Sequence, residues 1–185
     1  MTQTNAVSDH NLSNDETADA VDRGDFLTAM RAVANSVTVV TTDGKAGRHG
    51  GTVSAFCSVS ADPPTVLVCL HGESRIADTV AENGHFCVNV LATSNQQASD
   101  RFAGRHDDTV SDRFEGIELQ SGVDTSAEHN APMLAGSTAF FCQIKDTVTS
   151  GTHRIFIGRV VSVVAGEPDP LLYFDGAYRQ MGDSL

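Results

Sequence analysis

The spacing of apolar positions along this chain changes several times, and each change marks an element. Residues 1–23 carry many Asn, Asp, Ser and Thr and few large apolar side chains. Such a stretch buries too little surface to offset its ordering entropy, so a disordered acidic tail is expected there, with the folded domain over residues 24–185. Phe26, Met30 and Val33 then fall at helical spacing, widened by Leu27 and Ala34, with Asp25 near the start. Residues 37–42 are β-branched throughout, which favours a strand. A turn over 43–47 leads to a returning partner over 52–60, which the Asp62-Pro63-Pro64 run ends. Residues 65–70 form a continuous apolar run, the pattern of a strand buried on both faces.

The helical period returns over 73–83, where Ser74 can cap the start, Ile76 and Val80 pair at i,i+4, and Asn83-Gly84 stops the helix. A strand over 85–91, a helix over 95–103 closed by Gly104, and two long strands over 136–149 and 153–164 follow, the last two joined by Ser150-Gly151-Thr152. Short extended pieces over 171–174 and 176–179 complete the pattern. Residues 105–132 are polar and without period, and a loop so long in a compact domain is usually functional, for example a lid. Strands and helices do not alternate regularly, so the pattern predicts a mainly β fold, a closed barrel of six or seven strands with a few peripheral helices, over a doubly wound parallel sheet.

Composition narrows the function. The 185 residues suit one domain, and a formal net charge of −12 disfavours nucleic acid as a partner. No apolar run approaches the roughly 18 residues a membrane helix needs, and no secretory signal opens the chain, so a cytoplasmic protein without a membrane partner is expected. Cys57, Cys69, Cys87 and Cys142 form no CxxC pair and read as reduced core thiols. The seven histidines show no ligand spacing, so no metal is expected. Dinucleotide and phosphate loops of the G-x-G-x-x-G and G-x-x-x-x-G-K-[ST] types are absent, as are G-x-S-x-G and H-E-x-x-H.

One stretch is unusual. From Gly50 and Gly51 through Thr52, Val53, Ser54, Ala55, Phe56, Cys57, Ser58, Val59 and Ser60 to Pro63 and Pro64, small and hydroxylic residues stand where a strand normally carries large apolar ones. Glycine admits close backbone approach, and free N–H groups and hydroxyls can bond a planar heterocycle or a phosphate. A polar edge strand would show the same composition.

This stretch resembles the signature of the flavin reductase-like family, the FMN-binding split barrels that include the reductase components of two-component flavin monooxygenases. The matches are Gly50, Thr52, Ser54, Ala55, Phe56, Ser58, Ser60, Pro63 and Pro64. Further matches follow in order: Phe26 to Met30, Thr38 to Thr42, Val66 to Leu70, Ser74-Arg75, Gly84 to Leu91, Phe102-Ala103-Gly104, Asp112-Arg113-Phe114, Gly151-Thr152-His153 and Pro170 to Phe174.

The resemblance implies a Greek-key-like split barrel that reduces FMN or FAD with NADH or NADPH and passes reduced flavin to a separate oxygenase. It also implies a homodimer with exchangeable flavin. In such proteins Gly51, Thr52, Val53, Ser54 and Ala55 lie against the flavin ring, with Ser58 and Ser60 in the same signature. Cys69, Leu70 and His71 flank the ribityl chain and phosphate. Ser74 and Arg75, at a helix start, would hold the phosphate, though a plain cap and a solvated charge are their ordinary roles. Phe102 could pack near the flavin or in the core. His153 corresponds to the histidine of a Gly-Asp-His turn that meets the nicotinamide; here Thr152 replaces the aspartate, removing a carboxylate that could orient it. A barrel that retains its flavin as an oxidoreductase, a non-catalytic flavin-binding module, and a cofactor-free interaction protein are the alternatives.

Overall fold

The computed structural model describes residues 9–11, 20–121 and 130–183. The expectation of a disordered tail falls mostly outside these residues; within it, β1 (Asp9–Asn11) is described as a strand parallel to β8. The other elements are α1 (Arg23–Met30), β2 (Asn35–Ser36), β3 (Thr38–Thr42), β4 (His49–Val53), β5 (Phe56–Ala61), β6 (Pro64–His71), α2 (Arg75–Asn83), β7 (His85–Val90), a short 3-10 turn (Thr93–Asn95), α3 (Gln96–Phe102), β8 (Thr138–Ser150), β9 (His153–Val164), β10 (Leu172–Phe174) and β11 (Ala177–Arg179).

The main sheet runs β4-β3-β7-β8-β9-β6-β5, and every neighbour pair on this path is antiparallel. Its two edge strands, β4 and β5, are consecutive in the chain, with only Ser54 and Ala55 between them. The sheet therefore curls until its edges meet at that dipeptide without a ladder between them, which is a split barrel. This corrects the returning strand expected over 52–60. The strand that returns from β3 is His49–Val53, and Phe56–Ala61 belongs to the opposite edge, paired with β6. The bend at Ser54-Ala55 breaks the run because the chain must change partners there.

Two apolar cores lie on the two sides of β3. Val40, Val66, Val68, Leu70, Phe86, Val88 and Phe156 fill the barrel, and α2 adds Ile76, Ala77 and Val80. Burying a side chain such as Ile76 or Val80 contributes roughly 1.5–3 kcal/mol. Outside the barrel, Val37, Val39 and Leu91 pack against Ala98 and Phe102 of α3, and against Phe114 and Leu134. Asn89, fully buried, ties this layer together. Its amide donates to the Val39 carbonyl (3.1 Å) and accepts from the Leu134 N–H (2.8 Å) and the Ser137 hydroxyl (3.1 Å).

Three further expectations need revision. β6 is not buried on both faces: Val66, Val68 and Leu70 point into the barrel while Thr65, Leu67 and Cys69 are partly exposed, because no layer among the described residues covers that outer face. α1 ends at Met30, is capped by Asp22 rather than Asp25, and buries no residue; Phe26, Leu27 and Met30 are 53%, 44% and 44% exposed. Val33 and Ala34 lie beyond its end. Only Cys87 and Cys142 are core thiols, Cys142 being pushed up to about 12 by burial, whereas Cys57 is exposed and Cys69 half-buried. No helix among the described residues is long and apolar enough to cross a membrane.

Candidate active site

β4 is the spine of the site. It pairs with β3 on one edge only, and its other edge is open along the split. In an antiparallel ladder alternate residues turn both backbone groups toward the partner or away from it. The Gly50 carbonyl accepts from Arg113 Nη1 at 3.3 Å rather than from β3, so Thr52, two residues on, also presents its backbone outward. Past the strand end, the N–H groups of Ser54 and Ala55 and the Ser54 hydroxyl have no partner among the described residues. The Ala55 carbonyl accepts from the Cys69 N–H at 3.0 Å, which anchors the bend to β6. Free donors on a bend fixed at both ends suit the carbonyls and ring nitrogens of a planar heterocycle.

The glycines before this bend have a packing task. A Cβ on Gly50 would lie 2.6 Å from Phe102 Cε1, and one on Gly51 would lie 3.2 Å from Ile76 Cγ2. Both are buried and let α3 and α2 close on β4; Gly51 offers a ligand no more than backbone. Phe102 is 1% exposed and meets Phe114 edge-on with centroids 4.8 Å apart, so it supports β4 from the core. The Thr52 hydroxyl donates to the Ser99 carbonyl (2.7 Å), and the Val53 carbonyl accepts from the Thr38 hydroxyl (2.7 Å). Thr52, Val53 and Ser54 line a cavity of about 210 Å³ with Tyr173, Tyr178 and Arg105. Ser58 is exposed on the far edge strand, and the Ser60 hydroxyl is spent on the turn at Asp62, accepting from its N–H at 3.1 Å and donating to its carbonyl at 3.0 Å.

At the other end of β4 lies a larger cleft of about 610 Å³, lined by Arg48, His49, Gly50, Arg75, residues 110–114 and Asp107. Arg75 opens α2, and its guanidinium is exposed and pairs with no carboxylate among the described residues. Ser74 beside it is the helix cap: its hydroxyl donates to the His71 carbonyl (2.6 Å) and accepts from the Ala77 N–H (3.4 Å). Only Arg75 of this pair therefore keeps free valence for an anion. His49 Nδ1 lies 2.7 Å from the Gly50 nitrogen and 2.9 Å from the Gly50 carbonyl oxygen, so the ring accepts from the first or donates to the second according to its tautomer. Burial holds its pKa below the ordinary value, and Arg113 and Arg75 push the same way. Arg113 pins the wall, donating to the Gly50 and Phe102 carbonyls (3.3 and 3.0 Å) and pairing with Asp107.

His71 ends β6 and His153 begins β9, and the two are register partners. Their rings meet edge-on with centroids 5.5 Å apart. The Thr152 hydroxyl lies 3.0 Å from His153 Nδ1, so a hydroxyl takes the place a carboxylate would have at this turn. Leu70 is core, and Cys69 is linked to the bend through its backbone.

The sequence reading missed His49, Arg48, Arg113 and Phe114 as site residues. His49 was one of seven scattered histidines, and Arg113 lies some sixty residues from the strand it holds. The Asp112-Arg113-Phe114 match was the one signal in that polar segment.

A β-barrel split along an edge that carries free backbone donors and ends in an arginine-lined cleft defines the flavin-handling class of split barrels. The chain matches the family model described as "Flavin reductase like domain" over residues 30–182, and it belongs to that family. It is therefore an oxidoreductase acting on flavin. It is 41% identical over 160 residues to the FMN reductase (NADH) RutF of Bradyrhizobium diazoefficiens, covering 85% of each chain. It is 39% identical over 175 residues to the protein of the same name from Ancylobacter novellus, covering 94% of this chain and 93% of that one. Among solved structures it resembles the styrene monooxygenase flavin reductase of Pseudomonas putida, with a TM-score of 0.74 and 30% identity over 86% of this chain and 99% of that one. It also resembles the NADH:FAD oxidoreductase of Streptomyces globisporus in complex with NAD and FAD fragments, with a TM-score of 0.74 and 29% identity over 89% and 98%.

Proposed function

We propose that this flavin reductase oxidises NADH, reduces FMN, and releases the reduced flavin to a separate oxygenase. The observation that carries the reading is the open edge of β4, which joins the unpaired donors of Ser54 and Ala55 to the unpaired guanidinium of Arg75. A donor-rich bend suits the polar edge of a planar ring, and a free guanidinium suits a phosphate. FMN and NADH are chosen over FAD and NADPH because the curated relatives at 35–41% identity are FMN reductases using NADH.

When both nucleotides are bound, the chemistry is transfer of hydride from nicotinamide C4 to flavin N5, supplied by the cofactors themselves. The chain's part is to hold and orient. Ser54 and Ala55 donate to the polar edge of the ring, Arg75 takes the phosphate bidentately, and the α2 start adds its dipole. His153, held by Thr152 and flanked by His71, orients the hydride donor. None of these roles needs a proton-shuttling triad.

The functional unit is the domain over residues 24–185, acting as a homodimer in the cytoplasm. The uncovered apolar face of α1 supports the dimer, and four free cysteines suit a reducing compartment. The test is to mix the purified protein with NADH or NADPH and with FMN, FAD or riboflavin, and to follow nicotinamide absorbance. Fastest turnover with NADH and FMN is expected. No oxidation with any pair would sink the reading, and a tightly held yellow cofactor without turnover would favour a binding module.

A further inference from the structure

The cleft beside β4 holds three arginines, but two of them already carry carboxylates. Arg48 Nη2 lies 2.7 Å from Asp112 Oδ2, and Arg113 Nη2 lies 2.5 Å from Asp107 Oδ2, with Nε 2.9 Å from Oδ1. Both aspartates come from one stretch, residues 107–112, which with Arg113 and Phe114 forms one wall of the cleft.

The two ion pairs are not equivalent. Arg113 is also held by the Gly50 and Phe102 carbonyls and its side chain is 26% exposed, so it is part of the wall. Arg48 lies over the Phe114 ring, 4.4 Å from its centroid, and has Asp112 as its one ion-pair partner among the described residues. Its side chain is 39% exposed and that of Asp112 51%. A pair this exposed is worth about 0–1 kcal/mol, whereas a phosphate offers a guanidinium two strong charge-assisted bonds.

We propose that Asp112 is a built-in competitor for the substrate's phosphate: it occupies Arg48 when the cleft is empty and is displaced when a flavin mononucleotide binds. This rests on the reading of the cleft as the phosphate site. Asp107, fixed to Arg113, adds a second standing negative charge. The consequence is functional. A reductase that hands its product to another enzyme must let flavin go, and three uncompensated arginines would hold a phosphate dianion too well. The carboxylate lowers affinity without removing the arginine that selects for phosphate, and it re-closes on Arg48 as flavin leaves. The exchange gives the Asp112 side chain two positions, paired with Arg48 or released from it, while Asp107 and Arg113 stay in the wall.

Asp112→Asn isolates the charge, because Oδ1 of the amide can still accept from the Phe114 N–H, as it does at 3.0 Å. Titration of the whole protein with FMN and with riboflavin, followed by flavin fluorescence, is the measurement. Asp112→Asn should tighten FMN about three- to tenfold and leave riboflavin unchanged, with the gain lost near 1 M salt. In an Arg48→Gln background the same substitution should bring no gain, which guards against an effect of altered folding. Unchanged or weaker FMN binding in Asp112→Asn would overturn the proposal. So would an equal gain for riboflavin, which would mark a loosened wall rather than a removed charge. If Arg75→Ala weakens FMN and riboflavin alike, the phosphate reading itself fails and takes the proposal with it. If Arg75→Ala separates the two ligands but Asp112→Asn does not change FMN affinity, only the competitor fails.

Discussion

His71 and His153 face each other across β6 and β9 as register partners, their rings edge-on with centroids 5.5 Å apart. The pair stands where two secondary-structure boundaries meet. The His71 carbonyl receives Ser74 at the start of α2, and the Thr152 carbonyl accepts from the Gly72 N–H at 2.8 Å. Arg154, next to His153, reaches back to the Gly72 carbonyl and to Asp78 of α2. The turn that presents His153 is thereby fixed to the helix that presents Arg75.

His153 is expected to act on the hydride donor rather than on flavin. His153→Gln should lower kcat/KM for NADH about ten- to a hundredfold, while the affinity for FMN measured by fluorescence stays within about twofold. A parallel loss of FMN affinity would assign the residue to the flavin instead.

Arg75→Ala should weaken FMN binding about ten- to fiftyfold, the scale of one lost bidentate charge-assisted contact. Riboflavin, which lacks the phosphate, should bind as before. The readout is the same fluorescence titration for both ligands.

Gly50 tests whether small residues in β4 serve packing. In Gly50→Ala the new methyl would sit 2.6 Å from Phe102, and the displaced ring should cost about 1–3 kcal/mol of stability by thermal or denaturant unfolding. Adding Phe102→Leu should restore part of that loss. If Gly50→Ala keeps full stability and loses only flavin affinity, the glycine is there for the ligand.

His49 gives the stability curve a predictable slope. Its pKa in the folded chain lies below the ordinary 6.5, chiefly through burial. The unfolded state therefore binds the proton more readily, and stability rises with pH between the folded value and 6.5 and is complete above that. Melting temperatures taken between pH 5 and 7.5 should fall toward acid, and His49→Gln should flatten that part of the profile.

The uncovered face of α1 predicts that association depends on it. Phe26→Asp combined with Met30→Asp should convert a dimer to a monomer by light scattering while leaving the barrel folded by circular dichroism. An unchanged mass would exclude α1 from the interface.

The elements that local pattern controls were legible in the chain. α2 runs from a serine cap to a left-handed glycine as its residues dictate, and β9 spans the residues its β-branched run marks. The order of matches from Phe26 to Phe174 identified the family, which the comparisons bear out. Local signals could not reveal that residues 52–60 serve two strands on opposite edges, because only the closing of the sheet makes Ser54-Ala55 change partners. For the same reason the sequence could not show that Gly50 seats Phe102, or that Arg113 and Asp112, legible only as a family match, line a cleft with β4. Thus the sequence by itself determined most of the strands, the caps of α2 and the small, hydroxyl-rich segment from Gly50 to Pro64. Tertiary structure alone decided which of its N–H groups stay unpaired and which arginines meet them, since those facts depend on contacts between residues far apart in the chain.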